Sequence, residues 1–386
     1  MLAKYAADEL LKRFDHLETG RIRLSTPDGR QREFEGKMPG RVVDLDIKDW
    51  RVISNVARYG NIGLAQDYKD GKWDSSDLSG LVQLGIENKV ALKGFILGSS
   101  FFRKLSSLSY LLRLNTINGS RKNIQAHYDL GNDFYKLWLD PSMTYSSALY
   151  RTGNETLEQA QHNKYDRILD QLNTNSGSIL EIGCGWGGFA ARAMGRGDFA
   201  IRGLTLSEQQ KAYADQRQIA NAHIVLEDYR IQKGKFDNIV SIEMFEAVGE
   251  KFWPQYFSQI RTQLKSSGRA VVQTITINDN DFQNYRAGGD FIRSFIFPGG
   301  LLPSPSTFRV AARASGLRPQ NEFYFGQDYA RTLEEWLGNF EAKSNEIKNL
   351  GYDAGFIRLW RLYLAACAGA FRAGKINVMQ VELVHA

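Results

Sequence analysis

Cysteine is almost absent from this chain of 386 residues, which contains only Cys184 and Cys367. Two cysteines so far apart in the sequence exclude a disulfide scaffold and predict neither a disulfide nor a metal site. Such sparing use of cysteine is typical of a protein that works in a reducing compartment.

Long apolar runs are missing as well. No stretch approaches the ~20 consecutive apolar residues of a membrane-spanning helix, and the first residues interleave acids and bases where a signal peptide needs an apolar run. We therefore expect a cytoplasmic protein that makes any membrane contact from its surface. A composition of 43% hydrophobic and 24% charged residues excludes a disordered chain, and the length predicts two or three domains.

Acidic residues are absent from residues 88–128, a segment that contains seven lysines and arginines. Because the formal net charge of the whole chain is +6, this segment accounts for all of the basic excess. Its bases alternate with large apolar side chains such as Phe101 and Phe102, as in helices that lie in a membrane interface and meet lipid phosphates. A core helix followed by a solvated basic linker fits the segment equally well.

These patterns predict three regions. Residues 1–87 are expected to form a small α+β accessory domain, because a hairpin pattern around Pro27-Asp28-Gly29 is followed by helical apolar spacing at Asp49–Gly60 and Ser76–Glu87. Residues 88–122 are a basic, apolar helical linker. Residues 123–386 form the main domain.

The main domain alternates short apolar runs with amphipathic stretches, which is the pattern of an α/β sheet. Seven runs are candidate strands: Ser178–Ile182, Ala200–Leu204, His223–Leu226, Phe236–Ser241, Gly268–Thr276, Arg318–Phe325 and Asn377–Val384. They predict a Rossmann-like sheet of seven strands with helical insertions.

A glycine-rich loop follows the first of these strands, in the order Glu181-Ile182-Gly183-Cys184-Gly185-Trp186-Gly187. Glycines allow a tight turn and the close approach of a ligand, and the next helix offers free N–H groups. The spacing differs from the Gly-x-Gly-x-x-Gly of dinucleotide enzymes, and the Glu181 carboxylate suits the ammonium of S-adenosylmethionine. The loop therefore predicts a class I methyltransferase, with Cys184 beside the cofactor. A simple strand-to-helix turn is the alternative.

Polar side chains after the next two strands are further candidate cofactor ligands. Thr205-Leu206-Ser207, with Gln209 and Gln210, stands where a nucleotide site usually presents an acidic residue to the ribose. The hydroxyls and amides can serve there instead, although Ser207 with Gln210 also fits a helix capping box. Asp228-Tyr229 follows the third strand, where the pair is placed either to flank an adenine or to form an ordinary solvated strand end.

Several motifs resemble those of the cyclopropane fatty acid synthase family. They are His127-Tyr128-Asp129-Leu130-Gly131-Asn132-Asp133-Phe134-Tyr135, Met143-Thr144-Tyr145-Ser146-Ser147-Ala148, the glycine loop, Thr205-Leu206-Ser207, Met244-Phe245-Glu246, Phe295-Ile296-Phe297-Pro298-Gly299-Gly300 and Cys367-Ala368-Gly369-Ala370-Phe371-Arg372. They occur in the family's order from about residue 120 onward. The amino-terminal region is similar to the accessory domain of longer bacterial members.

The resemblance implies methyl transfer from S-adenosylmethionine to the double bond of an unsaturated acyl chain in a membrane phospholipid, at the inner face of the membrane. It places Tyr145, Ser146 and the segments Gly183–Gly187, Thr205–Gln210 and Asp228–Tyr229 around the cofactor. Methyl addition to an alkene leaves a carbocation, which carboxylates and aromatic faces stabilise. By the resemblance, Glu246 is the carboxylate nearest that charge.

In the resembling family, a bicarbonate accepts the proton that is lost on ring closure. The residues at its binding positions here are Glu246, Tyr329, Ile275, Ser147 and Gln273. Two of these differ from the family, since Ser147 stands in place of a cysteine and Gln273 in place of a histidine. A neutral amide donates a hydrogen bond but carries no charge and relays no proton.

These differences favour a variant enzyme that resolves the carbocation by losing a neighbouring proton. The product is then a methylene- or methyl-branched chain, which a separate redox enzyme can convert to 10-methyl or furan-containing fatty acids. A cyclopropane synthase that retains bicarbonate is the alternative, and a non-catalytic lipid-binding homologue is a more distant one.

We expect no nucleic-acid partner, because the basic segment lacks the polar and aromatic platforms of strand binding. A homodimer is compatible with the sequence. Cys367 is a candidate catalytic thiol because it lies in the last shared motif, but its small apolar neighbours favour an inert, packed cysteine.

Overall fold

The structure is a computed structural model that describes residues 10–92 and 130–386. Most of the basic segment, with Phe101 and Phe102, lies outside the described residues, as does the start of the first family motif. The chain divides into two compact units. The first contains residues 1–112, 284–296 and 333–375, and the second contains residues 113–283, 297–332 and 376–386. The domain limits at residues 87 and 122 stay predictions.

Eleven strands form two sheets in the described ranges. The sheet of the first unit contains β1 (Thr19–Ser25), β2 (Gln31–Glu35), β3 (Met38–Ile47) and β4 (Trp73–Asp74). The sheet of the second unit contains β5 (Ser176–Ile182), β6 (Asp198–Thr205), β7 (Ala222–Leu226), β8 (Phe236–Ile242), β9 (Leu264–Ile277), β10 (Leu317–Tyr324) and β11 (Ile376–His385).

The α-helices belong to both units, and those of the second unit alternate with its strands. In chain order they are α1 (Arg51–Tyr59), α2 (Asn61–Lys69), α3 (Leu78–Glu87), α4 (Asn132–Lys136), α5 (Leu157–Leu172), α6 (Gly188–Met194), α7 (Glu208–Gln216), α8 (Trp253–Gln263), α9 (Asp279–Ala287), α10 (Pro305–Ala314), α11 (Gly326–Ala342), α12 (Ser344–Asn349) and α13 (Ala354–Arg372). Short 3-10 turns cover Phe245–Ala247 and Glu250–Phe252, and a π-helical turn covers Ile292–Ile296.

The first unit contains a hairpin and packed helices. β1 pairs antiparallel with β2 across the Pro27-Asp28-Gly29 turn, and it pairs in parallel with β3 on its other side. Helix α13 packs on α3 so closely that a Cβ at Gly369 would lie 2.5 Å from the carbonyl oxygen of Ser79. Glycine is therefore required at this crossing.

The second unit is a seven-stranded sheet in the order β10-β11-β9-β8-β5-β6-β7. The five strands from β9 to β7 are parallel, and β11 runs antiparallel between β9 and β10. All seven predicted strands are present, and β9 extends beyond its predicted limits at both ends. In a mostly parallel sheet the strands end at one edge, where such folds place their ligand site.

A buried core lies between this sheet and helices α5 and α6. It contains Tyr165, Ile168, Leu169, Leu172, Ile179, Phe189, Ala190, Ala193, Phe199, Ile201, Val240 and Val271. At the start of α5 the Thr156 hydroxyl accepts from the Gln159 N–H in a capping box, which stabilises the first turn of the helix. In residues 10–92 and 130–386, no helix is both long enough and apolar enough to cross a membrane.

Candidate active site

The glycine loop has the tight geometry that its sequence predicts. Gly183, Gly185 and Gly187 have φ values of +83°, +53° and +80°, a region that glycine enters without steric cost. The backbone N–H groups of Gly183 and Cys184 donate to the Leu204 carbonyl at 3.0 and 2.9 Å. The loop is thereby fixed against the end of β6.

A cavity lies in the second unit where β5, β6, β7 and β8 end. Twelve of the predicted cofactor ligands line it: Tyr145, Ser146, Glu181, Gly183, Cys184, Gly185, Trp186, Thr205, Leu206, Gln210, Asp228 and Tyr229. Three predicted ligands lie outside this lining. Gly187 opens α6, Gln209 is exposed, and Ser207 caps α7 by accepting from the Gln210 N–H at 3.2 Å.

Thr205 at the end of β6 and Gln210 on α7 hold each other in the cavity wall. The Thr205 hydroxyl donates to the Gln210 side-chain oxygen at 2.7 Å and accepts from the Ser207 N–H at 3.1 Å. Both Thr205 and Gln210 are buried. These bonds fix the two side chains in place before any ligand binds.

The wall beyond β7 contains a two-point ion pair that the sequence analysis missed. Arg230 donates from Nε to Asp228 Oδ1 at 2.8 Å and from Nη2 to Oδ2 at 2.5 Å, and only 5% of each side chain is exposed. Burial raises the pKa of the adjacent Tyr229 phenol, which therefore stays protonated. The Asp228-Tyr229 pair is thus a fixed acceptor next to an aromatic face.

Glu181 provides an unsatisfied acid in the wall of the cavity. Its side chain is 2% exposed, and within the described ranges its Oε2 has no hydrogen-bond partner. Burial raises the pKa of this carboxyl to about 8. A ligand ammonium placed here would supply the missing partner, so the residues present fit the methionine end of S-adenosylmethionine.

An aromatic cluster connects the first family motif to the glycine loop. Tyr135 lies 5.5 Å from Tyr145 and 5.0 Å from Trp186 between ring centroids. Trp186 also donates from its indole N–H to the Asn132 side-chain oxygen at 2.7 Å. Packing of this kind holds the Tyr145 ring at the cavity wall.

Three of the predicted catalytic residues converge on a carboxylate that the sequence analysis missed, that of Glu243. Its Oε1 accepts from the Ser147 N–H at 2.8 Å and from the Gln273 amide at 2.7 Å, and its Oε2 accepts from the Tyr329 hydroxyl at 2.5 Å. Glu243 lies directly after β8 and lines the cavity. Burial raises its pKa, while the three donors and Lys164 oppose that rise.

Glu246 and Ile275 form a second contact beside this one. Glu246 Oε1 accepts from the Ile275 N–H, and its buried Oε2 has no hydrogen-bond partner among the described residues. Burial and then the charge of Glu243 raise the pKa of Glu246 to about 8. Of the two acids, Glu243 has the richer set of donors and carries the negative charge more readily.

The position of Glu243 at the end of a strand could have identified it from the sequence. Ligand sites of parallel sheets lie just beyond the carboxyl ends of the strands, and Glu243 is the first residue after β8.

Cys367, by contrast, lies on α13 in the first unit. Burial raises the pKa of its thiol to about 12, so it is not a thiolate nucleophile at neutral pH.

The family assignment follows from the glycine loop, the cavity and the carboxylates taken with a family comparison. The family model described as mycolic acid cyclopropane synthetase matches residues 116–381. The chain belongs to this family. The predicted identity as an S-adenosylmethionine-dependent methyltransferase and the predicted fold class are thereby confirmed.

Curated relatives extend this similarity over most of the chain. It is 34% identical to tuberculostearic acid methyltransferase UfaA1 of Mycobacterium tuberculosis, over 86% of this chain and 80% of the relative. It is also 34% identical to cyclopropane-fatty-acyl-phospholipid synthase of Escherichia coli, over 88% of this chain and 87% of the relative. These two alignments are long enough to include much of the amino-terminal region.

Solved structures of cyclopropane synthases match about two thirds of this chain. The mycolic acid cyclopropane synthase CmaA1, complexed with SAH and CTAB, is 33% identical with a TM-score of 0.64, over 68% of this chain and 97% of that chain. The cyclopropane synthase MmaA2 from Mycobacterium tuberculosis gives 30% identity and the same TM-score and coverage. Coclaurine N-methyltransferase, at 17% identity and a TM-score of 0.61 over 83% of this chain and 98% of that chain, shares the fold.

Proposed function

We propose that this protein transfers a methyl group from S-adenosylmethionine to the double bond of an unsaturated phospholipid acyl chain, and that proton loss then gives a methyl- or methylene-branched product. The observation that carries the proposal is the acidic wall of the cofactor cavity. Glu243 lines the cavity, and Glu246 interacts with it closely enough for the charge of one to raise the pKa of the other.

This wall suits a reaction that passes through a cation. The alkene is a weak nucleophile, so the enzyme has to align its π bond with the sulfonium methyl and keep water away. The π electrons form the new carbon–carbon bond, the bond from sulfur to the methyl carbon breaks, and a positive charge is left on the neighbouring carbon. Loss of a chain proton beside that charge gives a methyl-branched olefin. A methylene branch first requires a hydride shift that moves the charge to the methyl-bearing carbon, after which the methyl group loses a proton. Preorganised carboxylates stabilise such a charge as it develops.

The altered bicarbonate positions support the branched product over the ring. Ser147 reaches the acid cluster with its backbone N–H, and Gln273 reaches it with an amide that cannot relay a proton. The relatives include one named as a tuberculostearic acid methyltransferase and one named as a cyclopropane synthase. A cyclopropane product is therefore the second candidate, and the intact glycine loop argues against a non-catalytic homologue.

A labelled cofactor distinguishes the products. S-adenosylmethionine with a trideuterated methyl group is supplied with oleoyl phospholipid vesicles, and the acyl chains are analysed by mass spectrometry. A methyl-branched olefin formed by losing a neighbouring chain proton retains three deuterium atoms. A cyclopropane ring or a methylene branch retains two deuterium atoms. Ozonolysis then distinguishes these two products, because it cleaves the double bond of the methylene branch and leaves the ring intact. A cyclopropane as the main product would contradict the branched-product proposal.

The proposal places the protein on the inner face of the membrane, with the basic segment 88–122 as its contact. Seven bases and no acid at residues 88–128 support attraction to anionic lipids. Flotation with phosphatidylglycerol vesicles tests this contact, and Phe101→Ser with Phe102→Ser is expected to weaken it. A gel shift with nucleic acid and no flotation would contradict it. A separate redox enzyme is required only for saturated or furan end products.

A further inference from the structure

The Glu243 carboxylate has the shape, the charge and the partners of a bound bicarbonate. Both groups present two oxygens on one planar carbon and share a negative charge between them. Three of the five groups that the family resemblance assigns to bicarbonate donate to Glu243 instead: the Ser147 N–H, the Gln273 amide and the Tyr329 hydroxyl. The residues present therefore do not fit an additional bicarbonate, because the Glu243 side chain already accepts the hydrogen bonds that a bicarbonate would need.

The backbone of Glu243 is specialised for this placement. Its φ value is +49°, in the left-handed region that residues other than glycine rarely adopt and that is often found at functional sites. The Glu243 N–H donates to the Gln273 carbonyl at 2.8 Å. Gln273 of β9 thus holds both the backbone and the side chain of Glu243.

The orientation of Gln273 is fixed from behind. Its side-chain oxygen accepts from the Gln380 amide at 2.9 Å, and the Gln380 oxygen accepts from Arg167 at 2.7 Å. With its oxygen occupied in this way, Gln273 presents its N–H₂ to Glu243. Since an amide N–H₂ only donates and a carboxylate only accepts, glutamine at position 273 is matched to a glutamate at 243.

We propose that Glu243 is the built-in proton acceptor of the reaction and that this enzyme works without bicarbonate. The inference rests on the methyl transfer of the proposed function but not on its product. After methyl transfer, a C–H bond next to the cation or on the transferred methyl breaks. Its electron pair forms a double bond or closes a ring, and its proton moves to the Glu243 carboxylate, which releases it to solvent before the next turnover.

Two substitutions at position 243 distinguish the two roles of the carboxylate, which are to accept a proton and to fill the bicarbonate position. Glu243→Gln keeps the size of the side chain but accepts no proton, so kcat is expected to fall ~100–10,000-fold, the usual contribution of a general base. Added bicarbonate is not expected to rescue it, because the amide still fills the position. Glu243→Gly vacates the position and suits the positive φ, so bicarbonate is expected to restore part of its activity.

The assay measures transfer of labelled methyl groups to oleoyl phosphatidylglycerol vesicles in carbonate-free buffer and again with added bicarbonate. Wild-type activity is expected to be the same in both. Glu158→Gln on α5 makes the same chemical change outside the cavity and is the control. Wild-type activity that depends on bicarbonate, or full activity of Glu243→Gln with a normal thermal melt, would overturn the inference.

Binding of ¹³C-labelled bicarbonate gives a readout that needs no turnover. Line broadening in the ¹³C spectrum is expected with Glu243→Gly and not with the wild-type protein. Bicarbonate binding by the wild type would also overturn the inference. If the wild type methylates no lipid at all, the proposed function fails, and the binding comparison still decides whether Glu243 fills the bicarbonate position.

Discussion

The Lys164 ammonium donates a hydrogen bond of 2.6 Å to the Ser146 hydroxyl, and the lysine side chain has no exposed surface. Burial lowers the pKa of Lys164 to about 7, while the carboxylates of Glu243, Asp140 and Glu181 oppose this shift. At a pH below this value, a buried cation stands among the acids of the cofactor cavity. Its charge partly offsets theirs and lowers the pKa of both Glu243 and Glu181.

Lys164→Met is expected to move the pH dependence of turnover to higher pH. Removing the cation raises the pKa of Glu243, and a proton acceptor works only when it is ionised. The acidic limb of the kcat profile is expected to shift upward by roughly one pH unit, equivalent to ~1.4 kcal/mol. The exposed lysine of α4 provides the control Lys136→Met, and an unchanged profile for Lys164→Met would contradict the role of Lys164.

Asp228→Asn is expected to weaken cofactor binding. The substitution preserves the size of the side chain but removes the charge that neutralises Arg230, leaving a buried guanidinium without its two-point partner. Hydrogen bonds to charged groups contribute ~1.5–3 kcal/mol, so the affinity for S-adenosylhomocysteine is expected to fall roughly 10–100-fold. Titration calorimetry measures this value, with Asp215→Asn on α7 as the control. An unchanged dissociation constant would argue against a role for Asp228 in the cofactor site.

Two alanine substitutions in the glycine loop are expected to differ in stability. At Gly185 the φ is +53° and a Cβ would meet no atom within 4 Å, so only backbone strain of ~1–2 kcal/mol is added. At Gly183 the φ is +83° and a Cβ would also lie 2.9 Å from the Met244 side chain, so the loss is expected to be larger. Urea unfolding measures both, and an equal loss would show that Met244 moves aside without cost.

The strands of the main domain could be predicted from the sequence because buried parallel strands are short apolar runs. The glycine loop could be predicted for a similar reason, since its residues are contiguous and each glycine has a local conformational role. The position of β11 between β9 and β10 could not be predicted from the sequence. Strand order depends on contacts between segments far apart in the sequence, and no local pattern in Ile376–His385 identifies its neighbours.

The residues of the candidate site could be predicted only where the family resemblance assigns them a role. Glu246 was located by resemblance, whereas Glu243, three residues earlier, was missed. The donors that mark Glu243 as functional are 96, 30 and 86 residues away in the sequence. Lys164 was missed because a lysine on a helix usually faces solvent, and only the folded structure shows that this one is buried.

Tyr329→Phe tests whether the hydrogen bonds to Glu243 set its proton affinity. The Tyr329 hydroxyl donates to Glu243 Oε2 at 2.5 Å and is the largest of the contributions that hold the pKa of that carboxyl down. Phenylalanine keeps the ring and removes the donor, so the pKa of Glu243 rises. Since a hydrogen bond to a charged group contributes ~1.5–3 kcal/mol, the acidic limb of the kcat profile is expected to move upward by roughly 1–2 pH units.

Measuring the affinity for S-adenosylmethionine distinguishes the effect of Tyr329→Phe from that of Lys164→Met. Lys164 acts on Glu181 as well as on Glu243, so its loss is expected to change cofactor binding and the kcat profile together. Tyr329 contacts Glu243 and is expected to change the kcat profile alone. At a pH well above the shifted limb, Tyr329→Phe is expected to regain most of its activity, because Glu243 is then ionised without the extra donor. Low activity at every pH with a normal thermal melt would instead mean that Tyr329 takes part in the reaction itself.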